Sequence, residues 1–242
     1  MNHYEIRPEG DSALLIVFGA EISVELNRLV SAAARRVRER EIPGVVDMIP
    51  AFASLLVCYD PRVISCGALR ARLETILQGE AETRETAGRV FEIPVCYGGE
   101  YGPDLPFVAS HAGLTEREVV DIHTSRDYLV YMLGFLPGFC YLGGLDGRIH
   151  TPRLETPRLK IPAGSVGIGG SQTGIYPLES PGGWRLLGKT PVRTWDPDRD
   201  IPILLQAGDC VRFVEITAAE FRRISEAVEK NDYRVTVREG GA

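Results

Sequence analysis

The sequence has 242 residues, of which 44 % are hydrophobic and 25 % charged, enough for one large or two small globular domains. The formal net charge of -6 argues against general nucleic-acid binding, which relies on a basic surface. No stretch approaches the ~18 uninterrupted apolar residues of a membrane span, so a membrane protein is not expected.

The cysteines and histidines give little sign of a disulfide framework or a metal site. Five cysteines are scattered without a C-x-x-C pair, a pattern typical of reduced thiols in a cytoplasm. The N-terminal MNHYEIRPEG lacks the basic start and apolar run of a secretory signal, which also favours a cytoplasmic location. None of the four histidines is spaced with a second ligand as in a zinc site, so no metal is expected.

The first third of the chain predicts a compact α+β unit. Its elements in chain order are a strand, a helix, two paired strands and a second helix, at residues 13–18, 23–40, 44–49, 54–60 and 67–77. Ser23 is a suitable N-cap for the first helix, and leucines recur every four residues along the second, as on one face of a helix. Two β-α-β-like passes indicate a ferredoxin-like or related sandwich.

A polar segment, GEAETRETAGR at 79–89, follows this unit. It contains no large apolar residue, and a segment that cannot bury surface is typical of a linker. The alternative is a solvated loop within one domain. We predict two domains, 1–85 and 86–242.

The second part predicts a β-rich domain with a few helices. A strand at 90–97 is followed by two short helices, the second opened by a capping box of Thr115 and Glu118. From residue 134 to 188 there are 13 of the chain's 26 glycines, separating short β-prone pieces such as YLVYM, SVGIG and WRLLG, as in a barrel or sandwich. A strand at 209–216, a helix capped by Thr217 and Glu220, and a strand at 233–239 complete the pattern.

Three sequence motifs match known sites without their structural context. Gly183–Thr190 fits the phosphate-loop pattern G-x-x-x-x-G-K-[ST], but Pro191 follows at once and no helix is predicted there. GIGGSQTG at 167–174 departs from G-x-G-x-x-G at Gln172, and no helix follows it either. AGSVG around Ser165 is near a nucleophile elbow, but no histidine lies beyond it for a triad. We expect none of the three to function as its motif suggests.

Candidate ligand-binding side chains remain on the Gly-rich turns. The tandem repeat TPRLE-TPRLK at 151–160 places Arg153 and Arg158 on a backbone stiffened by proline, where they could bind a ligand. The alternative is a surface loop with two solvated arginines. Polar side chains between residues 165 and 184 can either line a ligand site or simply turn a tight barrel. His123, at the end of a predicted helix, is a candidate general acid or base, with a structural histidine as the alternative.

Two long motifs carry a resemblance to a known family. YMLGFLPGFCYLGGLD (131–146) and the segment from PRLETPRLK to WRLLGKTP (152–191) resemble the allophanate hydrolase subunit 1 family, also represented by the B component of 5-oxoprolinase. The likeness runs nearly the full length. Cys140 and Lys189 stand where the family usually has proline and arginine. Because the usual arginine would not satisfy the phosphate-loop pattern, that match is accidental.

The resemblance implies a fold and a role. The fold would be a small ferredoxin-like α+β domain followed by a cyclophilin-like β-barrel. The role would be the B component of an ATP-dependent 5-oxoprolinase, inactive alone, which opens the lactam of 5-oxoproline to glutamate. Its partners would be an allophanate hydrolase subunit 2-like protein (the C component) and a lactam hydrolase (the A component). The component that binds ATP is left open. The alternatives are an inhibitor of a histidine kinase and a carboxyltransferase half acting on urea-type substrates.

Within the matched motifs, residue type suggests the parts of a substrate site. Arg153 and Arg158 suit a carboxylate, because a guanidinium can bind it in bidentate fashion. Ser165, Gln172 and Tyr176 would orient the ring amide, and His123 would handle a proton. We therefore expect the barrel to shape a polar cavity for a small acid, completed by a partner protein.

Overall fold

The computed structural model describes residues 4–78 and 88–239. It divides into two compact units, Met1–Thr86 and Ala87–Ala242, here called the N-terminal unit and the barrel unit. Residues 79–87 of the predicted linker lie outside the described residues.

The N-terminal unit is a four-stranded antiparallel sheet with two helices. Its elements are β1 (Glu5–Glu9), β2 (Ala13–Val17), α1 (Val24–Glu39), β3 (Val45–Pro50), β4 (Ser54–Tyr59) and α2 (Cys66–Gln78). The strand order is β1-β2-β4-β3. The run β2-α1-β3-β4-α2 supplies five of the six elements of a ferredoxin-like sandwich, and β1, at the edge beside β2, takes the place of the last strand.

Apolar side chains of the sheet and both helices form the core of this unit. Val30 and Val37 of α1 and Leu69 and Leu73 of α2 are buried in one cluster with the inward residues of β2 and β4. The predicted Ser23 cap is confirmed, because its hydroxyl accepts a hydrogen bond from the Leu26 backbone at 3.1 Å.

The barrel unit contains the remaining strands and helices. In chain order they are β5 (Arg89–Tyr97), α3 (Leu105–Ala112), α4 (Glu116–Thr124), β6 (Asp127–Leu133), β7 (Cys140–Gly143), a 3-10 turn (Gly147–Ile149), β8 (Arg158–Ile161), β9 (Ser165–Gly169), β10 (Gln172–Ile175), β11 (Ser180–Gly182), β12 (Arg185–Lys189), β13 (Cys210–Glu215), α5 (Ala218–Glu229) and β14 (Thr236–Glu239). Both predicted capping boxes are confirmed, at Thr115 with Glu118 and at Thr217 with Glu220.

Seven strands of this unit close into a barrel. The order is β12-β9-β10-β7-β6-β13-β5, and pairing of β12 with residues 96 and 97 of β5 closes the ring. The last strand, β14, pairs with residues 89–92 at the beginning of β5. Although β13 comes late in the chain, it lies between β5, to which it is parallel, and β6, to which it is antiparallel. The two-stranded sheet of β8 and β11 stands apart from the barrel. The predicted fold class, a ferredoxin-like α+β unit and a cyclophilin-like barrel, is confirmed.

The barrel interior is an apolar core, so the polar cavity that the sequence predicts for this domain does not lie inside the barrel. Ile93, Val130, Leu142, Ile168 and Leu187, from five different strands, are fully buried in one hydrophobic cluster. All five residues of β9 are buried, because its other face is covered too. Any polar site of the barrel unit must therefore lie on the outside of the strands.

Two global features complete the description. In the part of the chain that the structure describes, no helix is long and apolar enough to cross a membrane. All five cysteines carry free thiols, as the scattered pattern predicts.

Candidate functional site

The phosphate-loop match forms part of the barrel wall. Residues Arg185–Lys189 are strand β12, with Lys189 paired to Ser165 and to Cys96 in the sheet. A phosphate loop needs backbone N–H groups that face a ligand ahead of a helix, whereas these take part in β-ladders. The expectation that the match is accidental is confirmed, and Ser165, at the start of β9, lies on no strand-to-helix turn.

His123 lies at the centre of a buried hydrogen-bond chain. The Thr173 hydroxyl gives its proton to the Gly167 carbonyl at 3.0 Å, so it can only accept from His123 Nε2, at 2.8 Å. The Nδ1 atom therefore carries no proton and accepts from the Tyr97 hydroxyl at 2.7 Å. Phe213 stacks on the imidazole with ring centroids 4.6 Å apart.

This environment does not favour the predicted acid–base role of His123. The residue is 0 % exposed, and burial lowers the pKa of its imidazole from 6.5 to about 3. Both ring nitrogens are already paired with protein atoms, so neither can exchange a proton with a ligand at the surface. We assign His123 a structural role that joins α4 to β5 and β10.

Arg158 is held in an ion pair and is not free to bind a carboxylate ligand, contrary to prediction. Its Nη1 and Nη2 atoms donate to the two oxygens of Asp104 at 2.9 and 2.8 Å. Asp104 is buried and also accepts from the Leu186 backbone N–H at 2.7 Å. One carboxylate thus connects the start of α3 to β8 and β12, and Arg158 supplies its counter-charge.

Arg153 has the environment expected of a ligand-binding arginine. It is exposed, and its guanidinium carbon lies 5.9 Å from the ring centroid of Trp184. Among the described residues, no carboxylate or carbonyl accepts a hydrogen bond from it. A guanidinium placed over an indole is held in position by the ring, yet keeps its in-plane donors available to a carboxylate.

Gln172 brings a second unpartnered donor to the same place. Its Nε2 atom is buried and has no hydrogen-bond partner in the part of the chain that the structure describes. Gln172 pairs with Gly169 across the β9–β10 hairpin, and side chains of such paired residues point to the same face. A Cβ on Gly169 would lie 2.3 Å from Trp184 Nε1, so the indole N–H covers the face that bears Gln172.

We call Arg153, Gln172 and Trp184 the donor cluster. Within the described residues, no acceptor is found for the indole N–H of Trp184 either, so three kinds of unpartnered N–H donor lie on the outer face of the hairpin, where the side-chain oxygen of Gln172 is the one acceptor that the cluster itself provides. Leaving a buried donor unpaired costs about 1–3 kcal/mol. Such an arrangement suits a ligand rich in acceptors, such as a carboxylate next to an amide carbonyl.

The remaining predicted residues frame this cluster or lie away from it. Tyr176 is 2 % exposed; burial raises its pKa, and a hydrogen bond from the Trp184 backbone partly opposes that shift. Its ring packs on Phe139 and Trp184 and so holds the indole of the donor cluster in place. Ser165 is buried at the start of β9, at the other end of that strand from Gly169. The structure therefore brings Arg153, Gln172 and Tyr176 together around Trp184.

The sequence does not single out Asp104, and it indicates Trp184 only as one of several polar side chains on the Gly-rich turns. The outer positions of β9 are Gly167 and Gly169, and small residues on one face of a strand indicate that something bulky packs there. That signal could have pointed to Trp184. Asp104 had no local signal, because its partner lies 54 residues further along the chain.

A surface cavity of about 550 Å³ lies in another part of the barrel unit. It is lined by residues from the 192–204 loop and the 228–235 segment, with arginines and aspartates at its rim. None of the six predicted site residues lines it.

The family model for "carboxyltransferase domain, subdomain C and D" matches residues 4–205 of the chain. Among curated proteins, the B component of 5-oxoprolinase from Bacillus subtilis (strain 168) is 48 % identical over 233 residues, covering 92 % of this chain and 97 % of that protein. The protein of the same description from Escherichia coli O157:H7 is 46 % identical, covering 85 % of this chain and 93 % of the relative.

Solved structures show the same fold inside longer proteins. The crystal structure of TTHA0988 is 41 % identical with a TM-score of 0.75; the match covers 88 % of this chain and 41 % of that one. The K. lactis urea amidolyase, at 24 % identity and a TM-score of 0.81, shows the fold alone, with 98 % of this chain and 16 % of that chain covered. The chain thus spans less than half the length of both of these structures.

Proposed function

The chain belongs to the carboxyltransferase subdomain C and D family, and from this premise we propose that it is the B component of a 5-oxoprolinase. The observation that carries the proposal is the 48 % identity to a curated B component along 97 % of that protein's length. The proposed reaction opens the cyclic amide of 5-oxoproline to give glutamate.

The proposed enzyme is an assembly in which this chain is inactive alone. A relative described as one subunit requires other subunits, and we propose an allophanate hydrolase subunit 2-like protein (the C component) and a lactam hydrolase (the A component). A lactam carbonyl is a poor electrophile. ATP, as a second substrate, would transfer its γ-phosphoryl group to the lactam oxygen and leave as ADP. Water would then add to the ring carbon, the ring C–N bond would break to give an acyl phosphate, and a second water would hydrolyse this to glutamate and phosphate. We assign no ATP contact to Gly183–Thr190, because these residues end in strand β12.

The donor cluster is the proposed contact of this chain with the substrate. At neutral pH, 5-oxoproline has a carboxylate beside its ring amide, and negative charge develops on the lactam oxygen during reaction. We propose that Arg153 binds the carboxylate and that Gln172 and Trp184 donate to the lactam oxygen, where preorganised donors stabilise developing charge. Tyr176 would hold the indole in position, whereas Arg158, Ser165 and His123 would support the fold.

We predict that reconstitution restores activity only when this chain is present. Co-expression with the candidate A and C components should give ATP-dependent formation of glutamate from 5-oxoproline, measured by chromatography of the amino acid. Omission of this chain, or of ATP, should each reduce the rate to background. Equal rates with and without this chain would contradict the proposal.

We predict that Arg153→Ala in the reconstituted assembly lowers kcat/KM for 5-oxoproline by about 10- to 100-fold, mainly through KM, because a charge-assisted hydrogen bond contributes about 1.5–3 kcal/mol. The matched control is Arg234→Ala, which removes an exposed arginine at the rim of the surface cavity that donates only to backbone carbonyls among the described residues. This control should leave the kinetics unchanged. The reverse pattern would move the substrate site to that cavity.

A second candidate function is a carboxyltransferase half that acts on urea-type substrates, favoured by the description of the matching family model. Such an enzyme would need a biotin-carrying partner. The two functions differ in one measurement: 5-oxoproline hydrolysis should persist when avidin is added, whereas a biotin-dependent carboxyl transfer should stop.

A further inference from the structure

Phe135 is an exposed aromatic side chain on a strained backbone. It stands in the loop between β6 and β7 with a φ of 69° and is 65 % exposed. A left-handed conformation in a residue other than glycine costs about 1–3 kcal/mol, and such strain clusters at functional sites. Its ring meets Phe139 edge-on, with centroids 5.6 Å apart. The fold therefore keeps an apolar ring exposed to water on a strained backbone. Packing in the core of this unit does not account for that strain.

A second exposed aromatic residue, Phe107 of α3, carries an arginine on its face. Phe107 is 43 % exposed, and the Arg185 guanidinium carbon lies 3.6 Å from its ring centroid. Arg185 Nε also reaches the Pro152 carbonyl at 3.5 Å. This links Phe107 to the segment that bears Arg153.

These contacts connect one strip of the surface, in which Trp184 and Phe139 are buried beneath the exposed Arg153 and Phe135. Arg153 lies over Trp184, Trp184 packs on Phe139 with centroids 5.6 Å apart, and Phe139 packs on Phe135. We call this surface the aromatic–arginine strip, defined by Phe107, Arg185, Arg153, Trp184 and Phe135. The donor cluster residues Arg153 and Trp184 lie in its middle, between the two exposed phenylalanines.

The strip also differs from the rest of the barrel unit in its charge. Elsewhere in this unit many arginines face carboxylates, as Arg89 faces Asp209 and Arg212 faces Asp127. Arg185, by contrast, has no carboxylate partner among the described residues, in a chain with a net charge of -6. Aromatic side chains and arginine are the types enriched in the energetic centres of protein interfaces.

We propose that the aromatic–arginine strip is the docking surface for the allophanate hydrolase subunit 2-like protein of the assembly. The partner offers an apolar pocket to Phe135 and a carboxylate to Arg185. By seating on both ends of the strip, it covers the donor cluster between them and excludes water from the substrate. This inference rests on the proposed function, which requires such a partner. In TTHA0988 the match covers only 41 % of the chain, so the similar segment there is already joined to further polypeptide.

The test measures binding of the immobilised allophanate hydrolase subunit 2-like protein to the full chain by biolayer interferometry. Phe135→Gly removes the ring and keeps a residue that adopts positive φ freely. Arg185→Glu reverses the charge. Each should weaken binding at least tenfold without lowering the melting temperature by more than a few degrees. The matched controls are Val214→Ser, an exposed apolar residue outside the strip, and Arg234→Glu. Both should bind within twofold of wild type.

Each other outcome has a defined meaning. Unchanged affinity in both strip variants, or equal weakening by the controls, overturns the docking surface while leaving the proposed function intact. A change in the molar mass of the isolated chain with the strip variants would show instead that the strip joins two copies of this chain, which also overturns the proposal. Failure of the wild-type chain to bind the partner at all contradicts the proposed function itself.

Discussion

Between about pH 7 and about pH 4.5, His123 alone should lower the free energy of unfolding by about 3 kcal/mol. Burial lowers the pKa of its imidazole from 6.5 to about 3. Below pH 6.5, His123 therefore binds a proton in the unfolded chain but stays neutral in the folded chain. The stabilisation is therefore complete above pH 6.5 and is lost as the pH falls towards 3. Urea denaturation across this pH range measures it.

The informative variant is His123→Gln, which keeps a donor and an acceptor but cannot titrate. It should be less stable than wild type at neutral pH, yet its stability should fall less steeply between about pH 6.5 and about pH 4.5. The matched control is His111→Gln, at an exposed position on α3, which removes a histidine without touching the buried hydrogen-bond chain and should change the stability at neutral pH little. Identical slopes in wild type and His123→Gln would show that the imidazole does not stay neutral in the fold.

Asp104→Ala should destabilise the barrel unit by about 2–4 kcal/mol, because it leaves the Arg158 guanidinium and the Leu186 N–H without their shared acceptor. The carboxylate is buried, so water replaces it poorly. The free energy of unfolding from urea titration measures the loss. The double variant Asp104→Ala/Arg158→Ala should cost less than the sum of the single variants, since the two residues act as one unit.

A matched control separates this pair from ordinary surface ion pairs. Asp121 forms an i,i+4 pair with Arg117 in α4 in which both side chains are more than half exposed. Exposed pairs contribute about 0–1 kcal/mol, so Asp121→Ala should change stability little. Comparable losses for Asp104→Ala and Asp121→Ala would contradict a special role for the buried carboxylate.

The predictions that succeeded were those carried by local chemistry. Ser23, Thr115 and Thr217 marked helix starts, because capping involves residues at most three positions apart. The β1 strand was missed because only Ile6 among its five residues is buried and Pro8 interrupts the pattern. An edge strand of this kind leaves almost no periodic signal.

The site was predicted less well than the fold because its pairings are long-range. Arg153 and Arg158 stand at equivalent positions of a tandem repeat, so the sequence cannot show that Asp104 neutralises only the second. His123 has the residue type of a general base, but burial lowers its pKa, and the side chains that pack on it include Phe213 and Thr173, 90 and 50 residues further on. Arg153, Gln172 and Trp184 come together because the β9–β10 hairpin packs against the segment that contains Arg153. Residue type alone does not reveal this packing.

The place of β13 between β5 and β6 determines when the barrel unit can fold during its synthesis on the ribosome. The N-terminal unit can acquire its native sheet as soon as its own residues are clear of the exit tunnel. By contrast, β5 and β6 must wait for residues 210–215 with their backbone groups exposed, because both pair with a strand made about 80 or more residues later. Non-local pairing of this kind is slow, and open strand edges invite aggregation. High-level production should therefore benefit from chaperones that shield nascent chains, or from slower translation.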